Sequence, residues 1–419
     1  MAELIATRGM SSGDDRRGRV SRREFLGAGA ALVTVGIPAI VRAGSQLPSR
    51  LVHPSLDTAP WGMALIYGEG KLDLLDLDTS TLLHTFEGLR ATHAVTPVES
   101  LNRFVVHGHR TGSRVGAVIV LEVDPRKKTW KQILDADLPG GPALHWQPNP
   151  DYSEIMFNTI GDGGLHVLNT TSLELSSFTG GGNHSNMAFF EDLLVATDSI
   201  RGPTTLRVVD RKTGDVLSST PVGRWGHGVT VNREHGTAFV WSDEGLHVVS
   251  LARSTMGKHL KVLKPQNDRE RCWFCWTPQG GRYSHDVSWN PGDEYHPYLL
   301  VADMKNQRFE RIPTGDKELL PSYLQISPGG RWGLSSIRGA QEIAVFDTVQ
   351  NQFKGTVKAG RAHIEFFERD MAFCRDRSRA VVTNSAENSI SLLDLDERSE
   401  HRRITLPRRP TWMKVLSPA

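Results

Sequence analysis

Cysteine is nearly absent from this chain: Cys272, Cys275 and Cys374 are the only three in 419 residues. No disulfide framework holds such a chain together, and an odd count leaves at least one thiol outside any intramolecular bridge. A charge of one sign is missing too. Lys and Arg number 49 against 47 Asp and Glu, a formal net charge of +2. A general nucleic-acid binder would show a clearly basic domain. Charged residues at 23% exclude both wholesale disorder and a coiled coil. Neither the HExxH metalloprotease motif nor a P-loop occurs. Long hydrophobic runs are lacking as well. The one apolar stretch, 27–41, is short for a membrane span of about 20 residues, and Pro38 interrupts it.

What is present begins with that stretch. Residues 1–43 carry seven Arg against four acidic residues, a net +3, which leaves the other 376 residues at −1. Ser21-Arg22-Arg23-Glu24-Phe25-Leu26 precedes the apolar run, and Val41-Arg42-Ala43 follows it. This pattern resembles a twin-arginine export signal cleaved after Ala43, which implies a periplasmic protein and the twin-arginine translocase as its export partner. That pathway carries folded proteins, often with a cofactor in place.

Beyond it the chain repeats. A Val- or Leu-rich strand ending on a polar residue, a turn and a second strand recur eight times: at 71–86, 117–133, 164–178, 205–219, 245–263, 298–312, 342–357 and 389–406. Two further strand-like runs joined by a hairpin precede each copy, as at 227–232 with 237–242 and at 323–327 with 332–336. Four strands per unit at a period of 40–50 residues is the pattern of a β-propeller blade, and 376 residues divide into eight units of 47. The first unit lacks room for its innermost strand, while 411–416 at the far end reads as an innermost strand without the other three. Joined, the two close the ring and leave no open sheet edge. The expected architecture is an all-β, eight-bladed propeller, or seven blades if one unit is degenerate. It comprises a signal (1–43), an N-terminal extension (44–61) and one propeller domain (62–419). The unit ending at 312 is the least regular, its inner strands falling around 272–277 and 282–287. A strand through Cys272-Trp273-Phe274-Cys275 sends positions i and i+3 to opposite faces, so these read as core cysteines rather than paired ligands.

The Val-Asp-turn repeats resemble the YVTN-type propellers. That superfamily includes the cytochrome d1 haem domain, the amine dehydrogenase heavy chain and exported propellers that bind zinc or copper. The resemblance covers nearly all of the chain after the signal, but its motifs define a fold, not an activity.

Chemistry is therefore sought where a propeller gathers side chains, around the mouth of its central channel. Each inner strand begins on the face where each second strand ends. Nine of the 16 His fall in segments assigned to that face: His93, His107, His109, His145, His184, His227, His285, His296 and His363. Imidazole suits zinc, copper, iron and nickel, and His107-Gly108-His109 puts two on one side of a strand. The candidate ligands are His93, His107, His109, His145, His184, His227 and His285, for zinc or copper. Duplication could equally repeat a histidine that only hydrogen-bonds within or between blades. Arg90, Arg224 and Arg361 precede inner strands and could bind the carboxylates of a haem-like group at the same mouth. Three functional expectations follow. The first is metal handling or delivery, with a metal-transport or electron-transfer protein as partner. The second is an oxidoreductase with a copper or haem-like cofactor, and the third is an interaction scaffold. No nucleic acid and no membrane span in the mature form are expected.

Overall fold

A computed structural model describes residues 59–418, except 161–162, 179–180, 183–185, 199–201, 227, 268–269, 273–282, 291–293, 329 and 363–368, and gives 90–94 by backbone only. Cys275, His184, His227 and the signal and most of the N-terminal extension lie outside the described residues. Eight antiparallel sheets follow one another along the chain, seven of four strands and one of three. They are the eight blades expected from the repeat. Blade 1 holds Met63–Gly68, Lys71–Asp76 and Thr81–Phe86. Blade 2 runs from Leu89–Val98 to Thr129–Leu138, blade 3 from Ala143–Pro148 to Leu175–Phe178, and blade 4 from Met187–Phe190 to Val216–Arg224. Blade 5 runs from Val229–Asn232 to His259–Leu263 and blade 6 from Tyr283–Asn290 to Arg308–Pro313. Blade 7 runs from Pro321–Ile326 to Gln352–Lys358 and blade 8 from Met371–Phe373 to Ser399–Thr405. Blade 6 is the three-stranded one. Residues 273–282, which include most of the inner strand expected around 272–277, lie outside the described residues, and Arg271 just before them bridges Trp289.

The turn after the third strand explains why the repeat was visible. In seven blades that strand ends on Asp76, Asp124, Asn169, Asp210, Asp303, Asp347 or Asp394. In each, the side chain accepts backbone N–H groups two or three residues on. Four residues past each of them, at Ser80, Lys128, Leu173, Gly214, Gln307, Asn351 and Arg398, the backbone turns left-handed with positive φ. A short acceptor side chain that satisfies the turn's donors offsets the cost of that conformation in non-glycine residues. Blade 5 departs from the rule: Ser250 stands in the Asp position, bonds Thr255 Oγ1 at 2.7 Å, and a longer loop follows.

Burial grades outward along each blade. Met63–Gly68 is buried throughout, whereas Thr81–Phe86 in the outermost position is mostly open. The second strands are covered on both faces by neighbouring blades and are buried from end to end, as in Glu154–Thr159 and Thr237–Ser242. Side chains of adjacent blades then interlock, as where Val105, Val118 and Val120 of blade 2 join Ile155, Phe157 and Leu168 of blade 3 in one cluster. Each such buried side chain stabilises by about 1.5–3 kcal/mol. A surface ion pair gives about 0–1 kcal/mol, so packing decides the stability of the seams.

The ring closes as the ends of the sequence implied. Trp412–Leu416 pairs antiparallel with Met63–Tyr67, Met63 opposite Leu416 and Tyr67 opposite Trp412, and becomes the innermost strand of blade 1. Asp370, fully buried just before blade 8, accepts Met413 N–H at 2.9 Å and Lys414 Nζ at 2.7 Å. Arg377 of blade 8 reaches past blade 1 to grip both carboxylate oxygens of Glu99 in blade 2, at 2.9 and 2.8 Å. Deleting residues 411–419 should expose the Met63–Tyr67 edge and abolish the single cooperative unfolding transition seen by circular dichroism. Lys414→Met leaves the Asp370 carboxylate buried without its cation. It should cost about 3 kcal/mol in chemical denaturation.

Candidate functional site

Three of the expected ligands with described side chains, His107, His109 and His145, lie on the strands that border the seam between blades 2 and 3. His107 and His109 lie on the second strand of blade 2, Arg103–Arg110, near the end that reaches the channel mouth. Being two apart, they share a side of the strand. The contacts of His107 show which side. Its ring lies 5.2 Å from those of Trp146 and Phe157, and its Nε2 is 3.4 Å from the carbonyl of Leu144, all in blade 3. His145 is next to that carbonyl on the inner strand of blade 3 and is buried.

Two irregularities in strand pairing converge on the same place. In blade 3 the register runs Ala143–Thr159 and then Trp146–Phe157, so one extra residue is inserted around Leu144 and His145. In blade 2 it runs Ala91–Gly108 and then Val95–Val106, so Thr92, His93 and Ala94 occupy the stretch opposite His107. Bulges re-aim side chains and gather near functional sites. The backbone thus brings His93 opposite His107, while the side chains of His93 and Arg90 lie outside the described residues.

Burial pushes the imidazole of His107 down to about 4, with the Leu144 carbonyl opposing the shift, so the ring is neutral at neutral pH. With Nε2 directed at the carbonyl, its Nδ1 is buried and has no hydrogen-bond partner. A ring tied through one nitrogen with a lone pair on the other is how a metal-ligating histidine is oriented. The fit is therefore good at His107 and incomplete elsewhere: among the described residues no three His, Cys, Asp or Glu side chains form a metal-holding group.

The structure takes other candidates away from this seam. The second strand of blade 6 runs Tyr283–Asn290, beyond the end expected at 287. His285 therefore sits near its beginning, towards the face opposite the mouth. There its Nε2 is 2.8 Å from Asn351 Oδ1, in a turn of blade 7. Arg361 is bound through Nε to Glu387 Oε1 at 3.2 Å, and that carboxylate also takes Arg403 at 2.7 Å. Arg224 is exposed on the mouth rim, its N–H donated to Asp243 Oδ1 at 2.8 Å.

Duplication does explain two other histidines. His166 and His247 hold like places in the third strands of blades 3 and 5, each bonded to a hydroxyl of the second strand. Thr159 Oγ1 is 3.2 Å from His166 Nε2, and Ser242 Oγ is 2.9 Å from His247 Nε2. Their other ring nitrogens bond the fourth strand, to Ser177 Oγ at 2.9 Å and His259 Nε2 at 3.0 Å. Cys272 is buried as expected, and so is Cys374.

Sequence reasoning passed over Trp225. This aromatic is 56% exposed on the mouth rim and stands at φ +59°, a conformation unusual for so large a side chain. Its N–H is donated to Gly202 O at 3.1 Å and that of Gly226 to Thr204 Oγ1 at 2.9 Å, so the turn is held while the ring faces solvent. The only sequence signal was an aromatic bracketed by Gly223 and Gly226 just before His227.

No protein-family model and no curated protein matches the sequence. Solved structures do. AztD of Citrobacter koseri superposes with a TM-score of 0.63 at 13% identity, over 85% of this chain and 97% of that one. Its apo form gives 0.64 at 13%, over 85% and 98%. The dihydro-heme d1 dehydrogenase NirN in complex with DHE gives 0.58 at 14%, over 88% and 77%. At such identities the likeness establishes the β-propeller fold.

The buried histidines also set a pH dependence. His247 and His285 are each pushed down to about 4, chiefly by burial. The unfolded chain takes up these protons from about pH 6.5 downwards and the folded protein only near 4, so stability falls as pH drops through that window. The melting temperature should decline steadily from pH 6.5 to 4. His285→Gln should flatten part of that slope, and a slope identical to wild type would remove His285 from the account.

Proposed function

We propose that this protein is an exported, periplasmic β-propeller that holds one transition metal ion, zinc or copper, at the channel mouth and handles or delivers it. The observation that carries the reading is His107: a neutral, buried imidazole whose Nε2 faces a backbone carbonyl while Nδ1 keeps a lone pair without a partner. His93 and His145 stand beside it on bulged strands, and His109 follows it on the same side. His184 and His227, also expected from the sequence, lie outside the described residues, and His285, the seventh of that set, does not join them. Zinc or copper held by neutral imidazoles with one open position is a site from which an ion can be passed on. No acid–base pair accompanies these histidines in the sequence, which favours custody of the ion over turnover. Export rests on the twin-arginine segment and the apolar run after it. A haem-like group is less well supported, because Glu387 already neutralises Arg361, one of its three expected cations.

The protein purified without its signal, stripped of metal and titrated with Zn(II) or Cu(II), should take up one ion per chain by elemental analysis after desalting. His93→Ala and His145→Ala should each weaken binding by roughly ten-fold or more, while His285→Ala leaves it intact. Protein that gains neither metal would sink the proposal. Uptake that survives the double substitution of His93 and His145 would move the site elsewhere on the ring.

A further inference from the structure

Arg369 stands just before the innermost strand of blade 8, Met371–Phe373, and is only 3% exposed. Two backbone carbonyls hold its guanidinium: Nη1 donates to Glu342 O of blade 7 at 3.3 Å, and Nη2 to Gly360 O in the link between blades 7 and 8. Its Nε is buried and has no hydrogen-bond partner. Carbonyl oxygens carry no formal charge, and a cation taken out of water without a counter-charge is costly. Burial pushes this guanidinium down to about 10, with Glu387 opposing the shift and Arg403 adding to it, so it stays charged at neutral pH.

Among the described residues no carboxylate pairs with Arg369, and the two that border the seam are spent elsewhere. Glu387 takes Arg361 Nε at 3.2 Å and Arg403 Nη1 at 2.7 Å. Glu400 takes Arg403 Nε at 2.8 Å and Nη2 at 2.9 Å. Asp370, next in the chain, is committed to Lys414. Arg361, Arg369 and Arg403 thus stand against Glu387 and Glu400, and one positive charge is left over. A second buried polar atom in this seam lacks a partner, Oδ1 of the fully buried Asn384. Both residues border Gly360: Arg369 binds its carbonyl, and a Cβ there would come within 2.5 Å of Asn384 Cγ. Turning the amide over puts Nδ2 in place of that oxygen, a second donor in the seam, while the Ser389 hydroxyl, 3.1 Å from Nδ2 now, donates to the oxygen instead.

We propose that the seam between blades 7 and 8 binds one small monovalent anion, a halide or the carboxylate of a small acid, against Arg369. The anion supplies the single negative charge that the side chains leave unmatched, and it accepts a charge-assisted hydrogen bond from the guanidinium. It fastens blade 8 to blade 7 next to the strand that closes the ring. The site shares no residue with the histidines between blades 2 and 3 and does not depend on a metal there.

The test uses the mature protein dialysed free of metal, so that chloride has no metal to ligate. Thermal unfolding is followed as sodium chloride, sodium formate or sodium gluconate is added at equal ionic strength, gluconate being too bulky for an enclosed seam. Chloride and formate should raise the melting temperature in a saturable way beyond gluconate, because a ligand that binds only the folded state stabilises it by mass action. The chlorine NMR line should broaden in the presence of the protein. Arg369→Gln keeps an amide donor for the carbonyls and removes the charge. It should abolish both the saturable rise and the broadening. In gluconate it should melt no lower than wild type, since it no longer buries an unmatched charge. Arg253→Ala, in the surface pair with Asp192, should retain both responses. A larger rise with chloride assigns a halide, and a larger one with formate assigns the carboxylate of a small acid. Superimposable wild-type curves in the three salts, or a chloride response that survives in Arg369→Gln, would overturn the proposal.

Discussion

Everything in this molecule depends on a strand supplied from the far end of the chain. Five residues, Trp412–Leu416, pair with Met63–Tyr67 across more than 340 positions of sequence and complete the sheet that begins the ring. Until that pairing forms, blade 1 presents an open edge and the channel has a gap in its wall. Loop-closure entropy grows only slowly with length, so a contact this distant is thermodynamically tolerable, but it forms late and favours slow folding. The buried Asp370 explains how register is kept. A carboxylate that must meet both Met413 N–H and Lys414 Nζ admits one alignment, because a shift by one residue would strand it in an apolar wall.

The same physics made the fold readable from residues alone. A third strand ending on Asp or Asn before a left-handed turn is a local device, complete within five residues, so it leaves a mark in sequence each time it is used. Seven blades carry it, and the eighth substitutes Ser250 with a longer loop. The third strands, covered on both faces, add Val- and Leu-rich runs such as Gly116–Asp124 and Gly245–Ser250. Blade count and closure followed from these two signals. In blade 6 the second strand extends three residues past the end expected at 287, which carries His285 to the other face.

Placement within the site was less legible, for a definite reason. Alternation along a strand assigns side chains to faces only while pairing is regular. The register slips around His93 and His145 are long-range properties, set by how blade 2 packs on blade 3, and nothing within either strand announces them. His107 and His109 were recognisable as a pair because their relation is local. The burial of His107 against Trp146 and Phe157 was not. Conversely, His166 and His247 look like candidates by residue type, yet each is consumed by hydroxyl and imidazole partners in its own sheet. What separates a ligand from a structural histidine here is whether both ring nitrogens are spoken for.

Closure also shapes the opposite face. A blade assembled from two ends of the chain has no covalent link between its innermost strand and the rest, and its neighbours compensate with long cations. Arg379 and Lys128 hold the incoming backbone, Arg402 donates to the carbonyls of Leu77 and Asp78, and Arg377 spans blades 8 and 2. Three of these cations also meet a carboxylate, Arg379 at Asp376, Lys128 at Asp78 and Arg377 at Glu99, so each ties backbone and charge at once. Closing a propeller by its last strand thus calls on side-chain cations to fix backbone that no neighbouring covalent bond restrains.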